Sequence, residues 1–249
     1  MKLKKLVALS LTMIMSVGLL VGCGSNEGAA SNDKVKIGMI TDVGGVNDES
    51  FNQSSWEGLQ AVQKELGEDK IDVQVLESTQ DADYDSNIDQ FIDQEMDLII
   101  GVGYKLEKAI AKAAKAYPEQ QFAIIDETYD EIPKNVTPIL FKENEAAFLT
   151  GLIAGKMTKT NEVGFIGGME NKVIYRFLYG YEYGVDQAND EADVQVQFAG
   201  TFADAAKGKS IANQMYSNKV DIILSAAGGT GLGAIESAKE QNKYAIGVD

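Results

Sequence analysis

From Lys34 onward the chain alternates short apolar runs with longer segments of helical spacing, and few folds accommodate that rhythm. Val35–Ile40, Asp72–Leu76, Asp97–Gly103 and Gln121–Asp126 read as strands. Between them, Ser55, Gly58, Leu59, Val62 and Leu66 mark one helical stripe, Ile88, Phe91 and Ile92 a second, and Leu106, Ile110, Ala113, Ala114 and Tyr117 a third. Ser50-Phe51-Asn52-Gln53 fits a capping box that starts the first helix near Ser50. Val136–Phe141 then follows as a strand with no helix before it, and a small-residue helix occupies 143–158. The alternation resumes with strands at 162–167, 194–200, 220–226 and 244–248, and helices near 173–189, 204–217 and 231–241. Repeated strand–helix units with continuously apolar strands require a parallel sheet covered on both faces. About nine strands is too many for one such sheet in so short a domain, and the break at 126–143 separates two halves of similar rhythm. The expected fold is α/β, with two doubly wound parallel-sheet lobes at 34–142 and 143–249 joined by a hinge.

In open parallel sheets, ligands sit outside the carboxyl ends of the strands. Those ends read Thr41-Asp42-Val43-Gly44-Gly45, Gly101-Val102-Gly103-Tyr104, Asp126-Glu127-Thr128, Gly167-Gly168-Met169, Ala226-Ala227-Gly228-Gly229-Thr230 and Gly247-Val248-Asp249. Glycine lets backbone approach a ligand closely, and aspartate supplies acceptors for hydroxyl and N–H donors.

The first 22 residues read as a secretory leader. Lys2, Lys4 and Lys5 precede a greasy stretch from Leu6 to Leu20, and Leu20-Val21-Gly22-Cys23 resembles a bacterial lipobox. The stretch is short for a transmembrane span. The lipobox implies cleavage before Cys23 and acylation of that residue, which anchors a soluble domain at a membrane because each buried methylene contributes about 0.8 kcal/mol. Residues 23–33, small and polar, read as a flexible tether. Cys23 is the one cysteine of the chain, so neither an internal disulfide nor a thiol nucleophile is available.

Composition narrows function further. With 38 acidic and 22 basic residues the formal charge is −16, a surface that repels phosphate backbones and argues against nucleic-acid binding. Histidine is absent, which removes the commonest general base and transition-metal ligand. No metal or cofactor site is expected. Gly44-Gly45 lacks the spacing and lysine of a phosphate loop, and Asp48 beside it reads as a helix cap. The acidic run Asp81, Asp83, Asp85, Asp89 and Asp93 lacks the glycine and terminal glutamate of an EF-hand and reads as a solvated acidic helix with its entry. Gly228-Gly229-Thr230-Gly231-Leu232-Gly233 is either a tight turn or a backbone cradle for a hydroxyl or carboxylate. By periodicity alone, Phe51 and Phe177 are either core residues or ligand platforms.

The order of these motifs carries a resemblance. The lipobox is followed by Asp42-x-Gly44-Gly45-x-x-Asp48-x-Ser50-Phe51-Asn52-x-x-x-Trp56-x-Gly58, Phe122-Ala123-Ile124-Ile125-Asp126, Gly151-x-x-Ala154-Gly155, Ala227-Gly228-Gly229-Thr230-Gly231-x-Gly233 and Gly247-Val248-Asp249. This series resembles the basic membrane protein family of lipoproteins, purine-nucleoside-binding solute-binding proteins of ABC transporters. The resemblance implies a type I periplasmic-binding-protein fold. It also implies a purine sandwiched between Phe51 and Phe177, with Asp42, Asn52 and Asp126 near the base and Gly228, Gly229 and Asp249 near the ribose. Family members continue past the position of Asp249, so it implies as well that the C-terminal part of the second lobe, with a lysine near the sugar, is missing from this sequence.

The function expected is a lipid-anchored, extracytoplasmic, monomeric solute-binding protein, not an enzyme. It would hold guanosine, inosine or adenosine and present it to ABC permease subunits. A ligand-sensing lipoprotein without a transport role is the alternative of the same class. A nucleoside hydrolase using Asp42 and Asp126 is the rival of a different class.

Overall fold

The computed structural model describes residues 34–249; the leader, Cys23 and the tether fall outside the described residues. Nine strands form two wholly parallel sheets. The first holds β1 (Val35–Ile40), β2 (Ile71–Leu76), β3 (Leu98–Val102), β4 (Gln121–Ile125) and β5 (Val136–Ile139) in the order β2-β1-β3-β4-β5. The second holds β6 (Glu162–Gly167), β7 (Asp193–Phe198), β8 (Ile222–Ala226) and β9 (Tyr244–Ile246) in the order β7-β6-β8-β9. Each order reverses direction at its first strand, β1 or β6, so each sheet has a switch point beside that strand where a crevice opens.

Both faces of each sheet are buried, and this is why the strands read as unbroken apolar runs. In the first sheet Ile40, Ile99, Phe122 and Ile124 pack on one side, while Met39, Ile100, Val102 and Ala123 pack on the other. The second sheet divides in the same way, with Val163, Phe165 and Leu224 opposed to Ile166 and Ile223. Seven α-helices cover these faces among the described residues: α1 (Phe51–Leu66), α2 (Asp83–Asp93), α3 (Glu107–Ala116), α4 (Glu143–Met157), α5 (Lys172–Ala188), α6 (Ala205–Ser217) and α7 (Gly229–Gln241).

The start of α1 departs from the capping-box expectation. Ser50 occupies the cap position, yet its hydroxyl makes no cap bond. Asp48 takes that role: its Oδ1 accepts from the backbone N–H of Ser50 (3.0 Å) and Gln53 (3.1 Å), and its Oδ2 accepts from the N–H of Asn52 (3.0 Å). A carboxylate satisfies several orphan N–H groups at once and complements the positive end of the helix, which releases the Ser50 hydroxyl for another partner.

Helices α4 and α5 interlock through glycines. A Cβ at Gly151 would overlap the Tyr181 carbonyl oxygen, one at Gly180 that of Asn144, and one at Gly184 that of Phe148. The two backbones therefore touch, as small residues permit. Gly58 in α1 is the opposite case, with nothing within 4 Å of a Cβ built there. We expect Gly184→Ala to cost about 2–3 kcal/mol through overpacking and Gly58→Ala to be neutral or stabilising by up to about 1 kcal/mol. Urea unfolding midpoints of the two variants check this, and equal midpoints would contradict the interlock.

Candidate functional site

The carboxyl ends of both sheets open onto one cleft of about 680 Å³, well within the range of small-molecule sites. Asp42, Phe51, Asn52, Asp126, Phe177, Gly228 and Asp249 all line it. They arrive from the β1–α1 loop and α1, the ends of β4, β8 and β9, and α5. Gly229 does not line it. Gly228 turns at φ +53°, the helix starts at Gly229, and a Cβ on Gly229 would lie 3.4 Å from the carbonyl oxygen of Phe202 and 3.8 Å from that of Asp48.

On the first lobe the polar lining is a carboxylate–amide network. Asp42 Oδ1 accepts from the Gly44 N–H (2.9 Å) and from Asn52 Nδ2 (2.8 Å), and Asp48 Oδ2 also accepts from Asn52 Nδ2 (3.0 Å). Asn52 is only 2% exposed, and its Oδ1 has no hydrogen-bond partner among the described residues. Asp126 Oδ1 is likewise buried without a partner. Buried polar atoms are nearly always satisfied, so two orphans in one cleft point to a ligand's donors.

Asp126 sits at the end of β4 in the left-handed region, at φ +63°, a conformation that costs a non-glycine residue of order 1 kcal/mol or more. Its carboxyl is pushed up to about 7, chiefly by burial and further by the neighbouring Glu143 and Asp249. Glu143, at the start of α4, is itself buried and receives a two-pronged ion pair from Arg176, Nε to Oε2 at 2.8 Å and Nη2 to Oε1 at 3.0 Å. Burial raises the Asp249 carboxyl too, with Asp48 adding to the rise and a hydrogen bond from Ser50 opposing it.

That last bond crosses the cleft. The Ser50 hydroxyl, freed from capping, donates to Asp249 Oδ2 at 2.6 Å. On another side the Tyr104 hydroxyl reaches Met169 Sδ at 3.4 Å. Phe51 and Phe177 are each half-buried: Phe51 packs in part on the Met39–Ile100 side of the first sheet, and Phe177 on the Phe165–Leu224 core of the second.

The lining also includes residues that sequence reasoning passed over: Tyr104 in a ligand role, Lys142, Glu143, Asn171 and Phe202. Lys142 and Glu143 lie three and four residues past the strand at 136–139, whose end counts as a strand end by the same rule that selected the others. Phe202 lies just past β7 for the same reason. Among the described residues no group of acidic, histidine or cysteine side chains could hold a metal ion, and no helix is long and apolar enough to cross a membrane. The acidic entry to α2 serves local structure, with Asp83 accepting from Thr79 and Gln80.

Residues 34–249 match the family model described as "Bmp: ABC transporter substrate-binding protein PnrA-like". The chain is 45% identical to the CD4+ T-cell-stimulating antigen of Listeria monocytogenes, over 99% of its own length and 73% of that protein's. It is 40% identical to the ABC transporter nucleoside-binding protein BmpA of Lactococcus lactis, over 99% of its length and 74% of that protein's. Among solved structures, an ABC transporter system solute-binding protein from Aeropyrum pernix superposes with a TM-score of 0.78 at 31% identity. That match covers 86% of this chain and 61% of the other, so the chain spans less than two thirds of that structure.

The Asp126 carboxyl gives a pH test with a definite sign. A carboxyl raised to about 7 on folding, from about 4 unfolded, favours the folded state at pH below about 4, and that contribution is lost as pH rises through about 7. We expect the wild type to lose stability relative to Asp126→Asn between pH 4 and pH 8, read as the difference in their urea midpoints. A flat difference across that range would contradict the environment described for Asp126.

Proposed function

We propose that this chain, which belongs to the Bmp family of PnrA-like ABC transporter substrate-binding proteins, binds a purine nucleoside in the cleft between its two lobes. The family is one of transport binding proteins, not of enzymes. The observation that carries the ligand reading is that Phe51 and Phe177, supplied by opposite lobes, line the same cleft. Two half-buried rings suit the two flat faces of a purine. The edge of the base would meet Asp42, Asn52 and Asp126, and the ribose diol would meet Asp249 and the backbone at Gly228.

Charge favours a nucleoside over a nucleotide. Asp42, Asp48, Asp126 and Asp249 line the cleft, the Glu143 charge is matched by Arg176, and among the described lining residues Lys142 is the one cation. A phosphate group would be repelled there, whereas hydroxyl and N–H donors gain charge-assisted hydrogen bonds. The name of the Lactococcus relative, a nucleoside-binding protein, supports the same class of ligand.

In this reading the two lobes, divided near residue 142, close on the ligand as a hinged clamp, and the closed form is presented to ABC permease subunits by a monomer. The leader at 1–22 is removed, and Cys23 carries the lipid that holds the domain on the extracytoplasmic face of the membrane through the 23–33 tether. The lipobox-like Leu20-Val21-Gly22-Cys23 supports this part.

Thermal shift tests the ligand. Guanosine, inosine or adenosine at about a hundredfold excess over Kd should raise the melting temperature by roughly 5 °C or more. Free ribose and nucleoside 5′-monophosphates should not. A shift with sugars or amino acids but no purine nucleoside would overturn the assignment. Phe51→Ala and Phe177→Ala should each weaken binding by about tenfold or more, and unchanged titration calorimetry in both would remove the sandwich. For the anchor, Cys23→Ser should move the full chain from the membrane fraction to the soluble fraction and abolish incorporation of labelled palmitate.

A further inference from the structure

We propose that Asp48 is a positioning residue: with Asp42 it occupies both N–H bonds of the Asn52 side-chain amide, so that Asn52 can offer a ligand only an acceptor. The proposal rests on the purine nucleoside reading of this cleft and specifies what the ligand must present there.

The orientation of the amide follows from chemistry. Ionised carboxylates accept hydrogen bonds and cannot donate them. Asn52 Nδ2 lies 2.8 Å from Asp42 Oδ1 and 3.0 Å from Asp48 Oδ2. Exchanging the amide's nitrogen and oxygen would set an oxygen against two carboxylates and leave three acceptors facing one another. The nitrogen therefore faces the acids, both of its hydrogens are used, and the oxygen is the group left over. That oxygen is the buried, partnerless Asn52 Oδ1, in a residue that lines the cleft.

The surrounding structure holds the arrangement from three sides. Asp48 is fixed by accepting from the backbone N–H of Ser50, Asn52 and Gln53 at the first turn of α1. Asp42 is fixed by the Gly44 N–H. Gly44 itself passes so close that a Cβ would lie 2.9 Å from Asn52 Nδ2 and 3.2 Å from Asp42 Oδ1, so only glycine lets the loop lie against the amide. One carboxylate thus joins the helix start to the chemistry of the cleft.

The ligand consequence is specific. A neutral acceptor locked in a buried site rewards a base edge that carries an N–H and penalises one that lacks it, because the carbonyl then stays unsatisfied. Guanosine and inosine carry N–H on the six-membered ring, and adenosine carries it on the exocyclic nitrogen. Purine riboside has the same rings and sugar with no N–H on that edge.

The experiment has two arms. In the ligand-free protein, nitrogen-resolved NMR follows hydrogen exchange of the Asn52 side-chain amide. We expect slow exchange in the wild type and exchange at least about tenfold faster in Asp48→Asn, in which an NH2 replaces one of the two acceptors. Equal rates would overturn the proposal whether or not any purine binds. In the second arm, titration calorimetry measures the preference for guanosine, inosine or adenosine, whichever binds best, over purine riboside. Asp48→Asn and the near-isosteric Asn52→Leu should each cut that preference about tenfold. If Asp48 only caps the helix, both affinities fall in parallel and the preference stays intact, which would overturn the proposal. If no purine compound binds the wild type, the nucleoside reading fails, and the exchange arm still decides the orientation of Asn52.

Discussion

Parallel pairing governs this molecule. Because every strand of a sheet runs the same way, all its carboxyl ends emerge at one edge, and each crossover must travel back over a face. The faces are thereby sealed with apolar side chains, while the loops that can carry polar groups collect at that edge. Two such sheets set with these edges toward a common crevice place Asp42, Asp126, Gly228 and Asp249 in one lining although more than 200 residues separate the first from the last. The helices need only cover the sheets, and α4 and α5 do so with backbone against backbone.

Much of the architecture was therefore readable from the chain alone. Nine apolar runs gave nine strands, because a strand buried on both faces cannot hide its composition. Boundaries shifted by a residue or two where polar ends ravel into loops: Val136–Phe141 ends at Ile139, and the helix expected from 231 begins at Gly229. The start of α1 differs in its chemistry from what its residue types suggest. Ser50 and Gln53 have the types of a capping box, but a carboxylate two residues earlier outcompetes a hydroxyl for several N–H groups at once, and nothing in local spacing ranks those two acceptors.

The lining was legible in part. Residues at recognisable strand ends, such as Asp42 and Asp126, could be singled out, because position in a parallel sheet says which loop faces a ligand. Phe51 and Phe177 could not be separated from core aromatics by periodicity; they are half in the core and half in the cleft, and a binary pattern has no symbol for that. Glu143 and its Arg176 partner were invisible for a different reason. Their role comes from burial of a charge that attracts a guanidinium, and burial is a property of the fold. The left-handed conformation of Asp126 is likewise a tertiary outcome, since local preference would have chosen glycine there.

The interlock between α4 and α5 constrains how this cleft can move. Touching main chains leave no layer of side chains to slide or repack, so the pair behaves as one stiff plate. Lys142 and Glu143 sit at the rim of that plate and ride wherever the second sheet goes. Among the described residues the chain passes from the first sheet to the second once, so any swivel that widens or narrows the crevice would be pushed out of the helices and into the few residues between Ile139 and Lys142. A clamp motion of the proposed kind would draw on that short span, and a change at Leu140, which lies outside the lining that Phe141 and Lys142 join, would alter the motion while leaving the lining chemically intact.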